Sequence, residues 1–176
     1  MKLLTRVPIL FVFSFAVVVI ALSMCNFLLA QPGPAPQQTQ KLTASAIQLD
    51  RIVPPQGLLI PEDTRVSMYE NVILQLIKTK KFQHVYRSGD RAAADASDLV
   101  ILHLIPEAFK PGSQKEREVI TVVGATSIKV KVQFISREGK VLLEKDVAGN
   151  VRFYGENLRA TYDLAKKVAT VVKESF

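Results

Sequence analysis

SIKVKVQFISREGKVLLEKDV, residues Ser127–Val147, reads as a β-hairpin. Ile128, Val130, Val132 and Phe134 alternate with Lys129, Lys131 and Gln133. Side chains on a strand point alternately to opposite faces, so this pattern puts one face in a core and the other in water. Arg137-Glu138-Gly139-Lys140 supplies the turn, and Val141–Val147 the return strand. A sheet with one wet face needs cover only on the other, which two amphipathic helices provide.

Both helices are readable. From Glu62 to Lys80 the period changes from two to that of a helix, and Val66, Tyr69, Val72, Ile73, Leu76 and Ile77 share one face. Pro61, Glu62 and Asp63 suit the start of this helix. Lys78, Lys80 and Lys81 suit its end, where cations offset the helix dipole. A second helix is expected from Glu156 to about Lys173, with Leu158, Thr161, Tyr162, Ala165, Val168, Ala169 and Val172 on its buried face.

The remaining strands follow from shorter runs. Ala46–Val53 reads as a first strand stopped by Pro54-Pro55-Gln56-Gly57, with Leu58–Ile60 packing after it as a loop. Phe82–Arg87 is a second strand. Leu99–Ile105, LVILHLI, is an unbroken apolar run that fits a central strand covered on both faces and ended by Pro106. Val119–Val123 starts a further strand, broken at Gly124. The expected fold is an α+β two-layer sandwich: a mostly antiparallel sheet with two amphipathic helices on one face, in a single domain spanning residues 42–176.

Ahead of this domain lie two other segments. Lys2 and Arg6 precede VPILFVFSFAVVVIALSMCNFLLA, Val7–Ala30, which carries no charge. Two readings stand. Leu28-Leu29-Ala30 offers the small terminal residue of a signal-peptide cleavage site. The same stretch is also long enough for an uncleaved membrane anchor, since roughly 20 residues span a bilayer. Both place the rest of the chain outside the cytoplasm, periplasmic or secreted in the first case and membrane-anchored in the second. Cys25 follows Met24, where a lipidated cysteine normally follows Gly, Ala or Ser, so it reads as an apolar filler. As the only cysteine it can form no internal disulfide. Residues 31–41 form a linker rich in proline and glutamine.

Candidate chemistry is sparse. The chain carries a formal charge of +7, but its charges are scattered rather than gathered into a stripe. His84 and His103 are the only histidines and lack the neighbours a zinc site needs. His103, inside the apolar run, is expected as a hydrogen-bonded core residue. Asp90, Asp95 and Asp98 lack the spacing of a calcium loop. Glu107, Glu116 and Glu118 offer paired carboxylates for glycoside hydrolysis, but they sit among Lys and Arg in what reads as a loop, where solvated ion pairs are the plainer expectation. Nucleophile-elbow and phosphate-loop motifs are missing. Lys80, Lys81, Phe82, Tyr86 and Arg87 are only a faint version of a nucleic-acid surface, and export argues against it. No catalytic, cofactor-binding or metal residue is assigned.

MYENVILQLIKTKKFQHVYRSGD, ASDLVILHLI and SIKVKVQFISREGKVLLEKDV, followed by a C-terminal helix, together resemble a bacterial envelope family of exported proteins and lipoproteins defined only as a domain of unknown function. That family is distantly similar to the small α/β domains of the TolB amino-terminal and CsgG type. The resemblance spans about Ala46–Phe176 and implies an envelope-associated binding or assembly module without catalytic residues.

The expected function is therefore that of an exported, non-enzymatic, envelope-associated protein. Its partner would be an envelope protein or other envelope component, met through sheet edges, the Glu107–Glu118 segment and the strand face of Lys129 and Lys131. A polysaccharide hydrolase using the loop carboxylates, or an anion- or lipid-binding protein, are the rivals. A reporter fused after Phe176 should be active in its exported form; activity confined to the cytoplasm would remove the basis of this reading.

Overall fold

In the computed structural model, which describes residues 41–119, 124–151 and 157–176, the hairpin forms as its alternation requires. Strands β1 (Ala46–Leu49), β2 (His84–Arg87), β3 (Leu99–Lys110), β4 (Thr126–Ser136) and β5 (Val141–Val151) make one sheet in the order β2-β1-β3-β4-β5. The β3–β4 and β4–β5 pairings are long and antiparallel; β1 pairs with β2 and β3 through short parallel ladders. Helices α1 (Glu62–Thr79) and α4 (Arg159–Ser175) pack against each other, with the sheet beneath them. Two short helices, α2 (Ala92–Asp95) and α3 (Gln114–Val119), lie in the connections on either side of β3. The fold is α+β with a mostly antiparallel sheet. The signal or anchor segment and residues 31–40 lie outside the described residues.

One face of the sheet supplies the core. Ile47, Leu49, Leu102, Val130, Val132 and Phe134 are fully buried beneath Val72, Leu76, Leu164 and Val168 of the helices. Each such side chain contributes about 1.5–3 kcal/mol relative to exposure. Phe176 closes one end, its ring edge-on to Phe82 at 5.1 Å and to Phe134 at 5.3 Å. A polar cluster joins the two helices: the hydroxyls of Ser67 and Thr161 lie 2.9 Å apart, and Asn71 Nδ2 donates to Thr161 Oγ1 at 2.9 Å.

Several expectations need correction. In β3, Val100, Leu102 and Leu104 are buried, but Ile101, His103 and Ile105 lie half-buried on the opposite face. The strand is central but fully covered on one face only. It also runs through Pro106 to Lys110, because the ladder shifts register between Pro106 and Ala108; a bulge admits a residue with no N–H to give. Glu107 is thus a strand residue, not a loop carboxylate. Val119 ends helix α3 rather than opening a strand, and residues 120–123 lie outside the described residues. The buried stripe of α1 is rotated from the expected one. Met68 is buried, while Val66 and Ile77 are 51% and 54% exposed. On α4, Leu164 is buried and Tyr162 is exposed. β1 stops at Leu49 rather than Val53, and β2 starts at His84 rather than Phe82.

Lys80 ends α1 in the left-handed conformation, φ 54°, with its N–H donating to Ile77 O at 3.3 Å. An L residue is costly there, and glycine is not. Lys80→Gly should raise stability by about 1 kcal/mol, whereas Lys80→Ala should change it little. Ile73→Asp, which places a carboxylate among core side chains, should cost several kcal/mol, on the order of the whole stability. Denaturant melts of the three variants would check this order.

Candidate functional site

Two surfaces gather polar side chains. The first is the open face of the sheet, opposite the helices. Lys129 and Lys131 alternate outward on β4, and the register sets Asp146 and Glu144 of β5 beside them. Lys129 Nζ lies 2.7 Å from Glu107 Oε2 and 2.9 Å from Asp146 Oδ2. Lys131 Nζ lies 2.9 Å from Glu144 Oε1 and 3.8 Å from Glu107 Oε1. Gln133 Nε2 donates to Glu144 Oε2 at 2.5 Å. The result is a ladder of alternating sign across three strands. Hydrogen bonds to Glu107 and Asp146 raise the pKa of Lys129, and Glu144 raises that of Lys131. Gln133 and Lys131 hold Glu144 below its ordinary value, and Lys129 does the same for Asp146.

Beside this ladder runs the outer edge of β5. Over the regular part of its ladder, from Leu143 to Val151, its even-numbered residues turn their backbone groups away from β4. The Asn150 N–H donates to Asp163 Oδ2 at 2.9 Å, and Lys167 Nζ donates to Ala148 O at 2.7 Å. Asp163 and Lys167 are themselves paired at 2.9 Å. Burial works to raise the pKa of Asp163, but the bonds from Lys167 and Asn150 prevail and hold it low. The same alternation directs the N–H and C=O of Glu144 and Asp146 outward.

The second surface is a groove of about 490 Å³ at the carboxyl ends of β1 and β2, lined among others by Arg51, Ile52, Arg65, Val66, Tyr69 and Arg87. The Tyr69 hydroxyl ties the two strand ends together, donating to Leu49 O at 3.2 Å and accepting from the Ser88 N–H at 2.8 Å. Arg87 grips Glu70 with two bonds, 2.5 and 2.7 Å, and its guanidinium lies 5.9 Å from the centre of the Tyr69 ring. This grip lowers the pKa of Glu70. Next to the groove, Asp50 Oδ1 accepts from the Arg51 N–H at 2.7 Å and from Ser88 Oγ at 3.0 Å.

The residues singled out in sequence are dispersed. His103 is not in the core; it stands half-buried on the open face, with Nε2 3.0 Å from Asp50 Oδ2. His84 is exposed and stacks on Tyr86, ring centres 5.8 Å apart. Asp90 accepts from the Ala92 N–H at the start of α2, and Asp98 accepts from the Ser45 N–H. Asp95 is exposed at the end of α2. Glu107 belongs to the ladder, whereas Glu116 and Glu118 lie on α3. Among the described residues no three His, Cys, Asp or Glu side chains are grouped to hold a metal ion, and no helix is long and apolar enough to cross a membrane. Nothing local in the sequence marks the groove: Arg51 follows β1, Arg65 is on α1 and Arg87 ends β2, and they meet only through the β1–β2 pairing and the packing of α1.

No family model and no curated protein matches the sequence. Solved structures do match the fold. PelC from Paraburkholderia phytofirmans, determined as a dodecamer, superposes with a TM-score of 0.55 at 13% identity, covering 73% of this chain and 89% of that one. A hypothetical protein from Chlamydia trachomatis gives a TM-score of 0.50 at 7% identity, covering 75% and 95%. The chain therefore shares its fold with bacterial proteins of very distant sequence.

The charged networks set a pH window. Carboxylates held below their unfolded values (Glu70, Glu144, Asp146, Asp163) give stability that is complete above those values, 4.5 for Glu and 3.8 for Asp, and is lost as pH falls through the lower folded ones. Raised Lys129 and Lys131 give stability present below 10.5 and lost as pH rises through their folded values. The melting temperature should thus be level from about pH 5 to about pH 10 and fall on both sides. In Glu144→Gln/Asp146→Asn the acid limb should be shallower. A pH series of thermal melts on both proteins tests this.

Proposed function

We propose that this chain is an exported, envelope-associated, non-enzymatic protein that binds or assembles with another envelope component along the outer edge of β5. The observation that carries the reading is the uneven treatment of that edge. Asp163 and Lys167 occupy its outward backbone groups at Asn150 and Ala148, while those of Glu144 and Asp146 face outward beside the charged ladder. An edge with outward N–H and C=O groups can take up a partner strand by backbone hydrogen bonds, with flanking side chains setting specificity. The charge-free stretch after Lys2 and Arg6 supports export. The fold shared with PelC, itself a dodecamer, supports a role in assembly. Glu107 is a β3 residue ion-paired with Lys129 and Lys131, which weakens the hydrolase alternative.

Proline separates backbone from side-chain effects. The Glu144 N–H points away from β4, so Glu144→Pro removes the outward donor and leaves the β4 ladder intact. Glu144→Ala removes the same side chain but keeps the donor. Affinity recovery from a membrane fraction should return the partner with the wild type and with Glu144→Ala, and lose it with Glu144→Pro, all three melting alike. Equal recovery with the proline variant would dismiss the edge as the binding surface.

A further inference from the structure

The groove between the carboxyl ends of β1 and β2 calls for a ligand of its own, independent of the β5 edge. It lies outside the carboxyl ends of the parallel strands β1 and β2, with the first turns of α1 forming its other wall. At about 490 Å³ it falls within the usual range for small-molecule sites, about 300–1,000 Å³.

The lining decides the ligand's chemistry. Ile52, Val66 and the Tyr69 ring supply apolar surface. The three arginines are in different states. Arg87 is held at both terminal nitrogens, Nη1 and Nη2, by Glu70. Arg51 is exposed. On Arg65, Nη2 pairs with Glu62 Oε2, whereas Nε is buried with no acceptor. A buried donor without an acceptor is costly, and Nε and Nη2 form the one edge of a guanidinium that takes a carboxylate side-on with two parallel bonds. Glu62 satisfies only half of that edge. Its side chain is 70% exposed, so it can leave at little cost.

We infer that the groove binds a small carboxylate-bearing molecule, held side-on by Nε and Nη2 of Arg65 in place of Glu62, with its ring or apolar body on Ile52, Val66 and Tyr69. Arg51 adds a second positive charge at the rim. Glu62 acts as an internal counter-ion that the ligand displaces.

Benzoate is a suitable probe, with methyl benzoate and inorganic phosphate as controls, titrated calorimetrically into the full chain in detergent. Benzoate should bind saturably. Glu62→Gln should tighten it about two- to fivefold, the worth of an exposed ion pair. Arg65→Lys keeps the charge but loses the fork, and should weaken it about tenfold. Lys173→Ala, on the far end of α4, should leave it unchanged, and all variants should melt near the wild type. Four results would overturn the proposal: no saturable benzoate binding, no response to Arg65→Lys in a folded protein, methyl benzoate binding as tightly as benzoate, or phosphate binding more tightly than benzoate.

Discussion

The close seating of α4 on β5 depends on residue 149 having no side chain. A Cβ on Gly149 would lie 2.3 Å from the Ala160 carbonyl oxygen and 2.5 Å from Leu164 Cβ, distances no packed interior tolerates. Because the helix can approach so closely, Leu164, Ala165, Val168 and Val172 are buried in the common core, and Phe176 arrives between Phe82 and Phe134. The same approach brings Asp163 and Lys167 to the β5 edge. Core packing and edge protection thus share one cause.

The fold was legible where a strand or helix has one wet face. On β4 the lysines and glutamine mark the outside, so the inside could be read residue by residue. β3 misled because Ile101 and Ile105 are apolar yet lie on the open face, where nothing in the local sequence distinguishes them from Val100 and Leu104. On α1 the apolar residues are more numerous than the buried face requires. Periodicity alone then cannot fix the rotation, and Met68 was exchanged for Val66 and Ile77. Pro106 looked like a strand end because the bulge that accommodates it depends on pairing with β4. The ladder was half visible, since Lys129 and Lys131 were read as facing outward, but their acidic partners depend on the register of β5 and on the extension of β3. Nothing local could reveal the groove, which exists only through tertiary pairing.

The two polar surfaces differ in character. The open face is self-satisfied: each ladder lysine touches two carboxylates, and exposed pairs of this kind contribute little apiece and weaken with salt. Such a face resists random adhesion while keeping a defined pattern of charge. The groove is held together by the Tyr69 hydroxyl of α1, which bonds to the backbone at Leu49 and Ser88, at the ends of both strands. The placement of His103 against Asp50 extends this order onto the open face.

Polar contacts fix the two long helices against each other. Ser67 and Asn71 on α1 meet Thr161 on α4 through their polar groups. Ser67 is two residues from Arg65, and Thr161 is two residues from Asp163. Thr161 is buried, so sliding one helix along the other would take these partners from its hydroxyl, and the contacts fix the axial offset of the pair. The same cluster therefore sets where Arg65 and Asp163 stand along the helix pair.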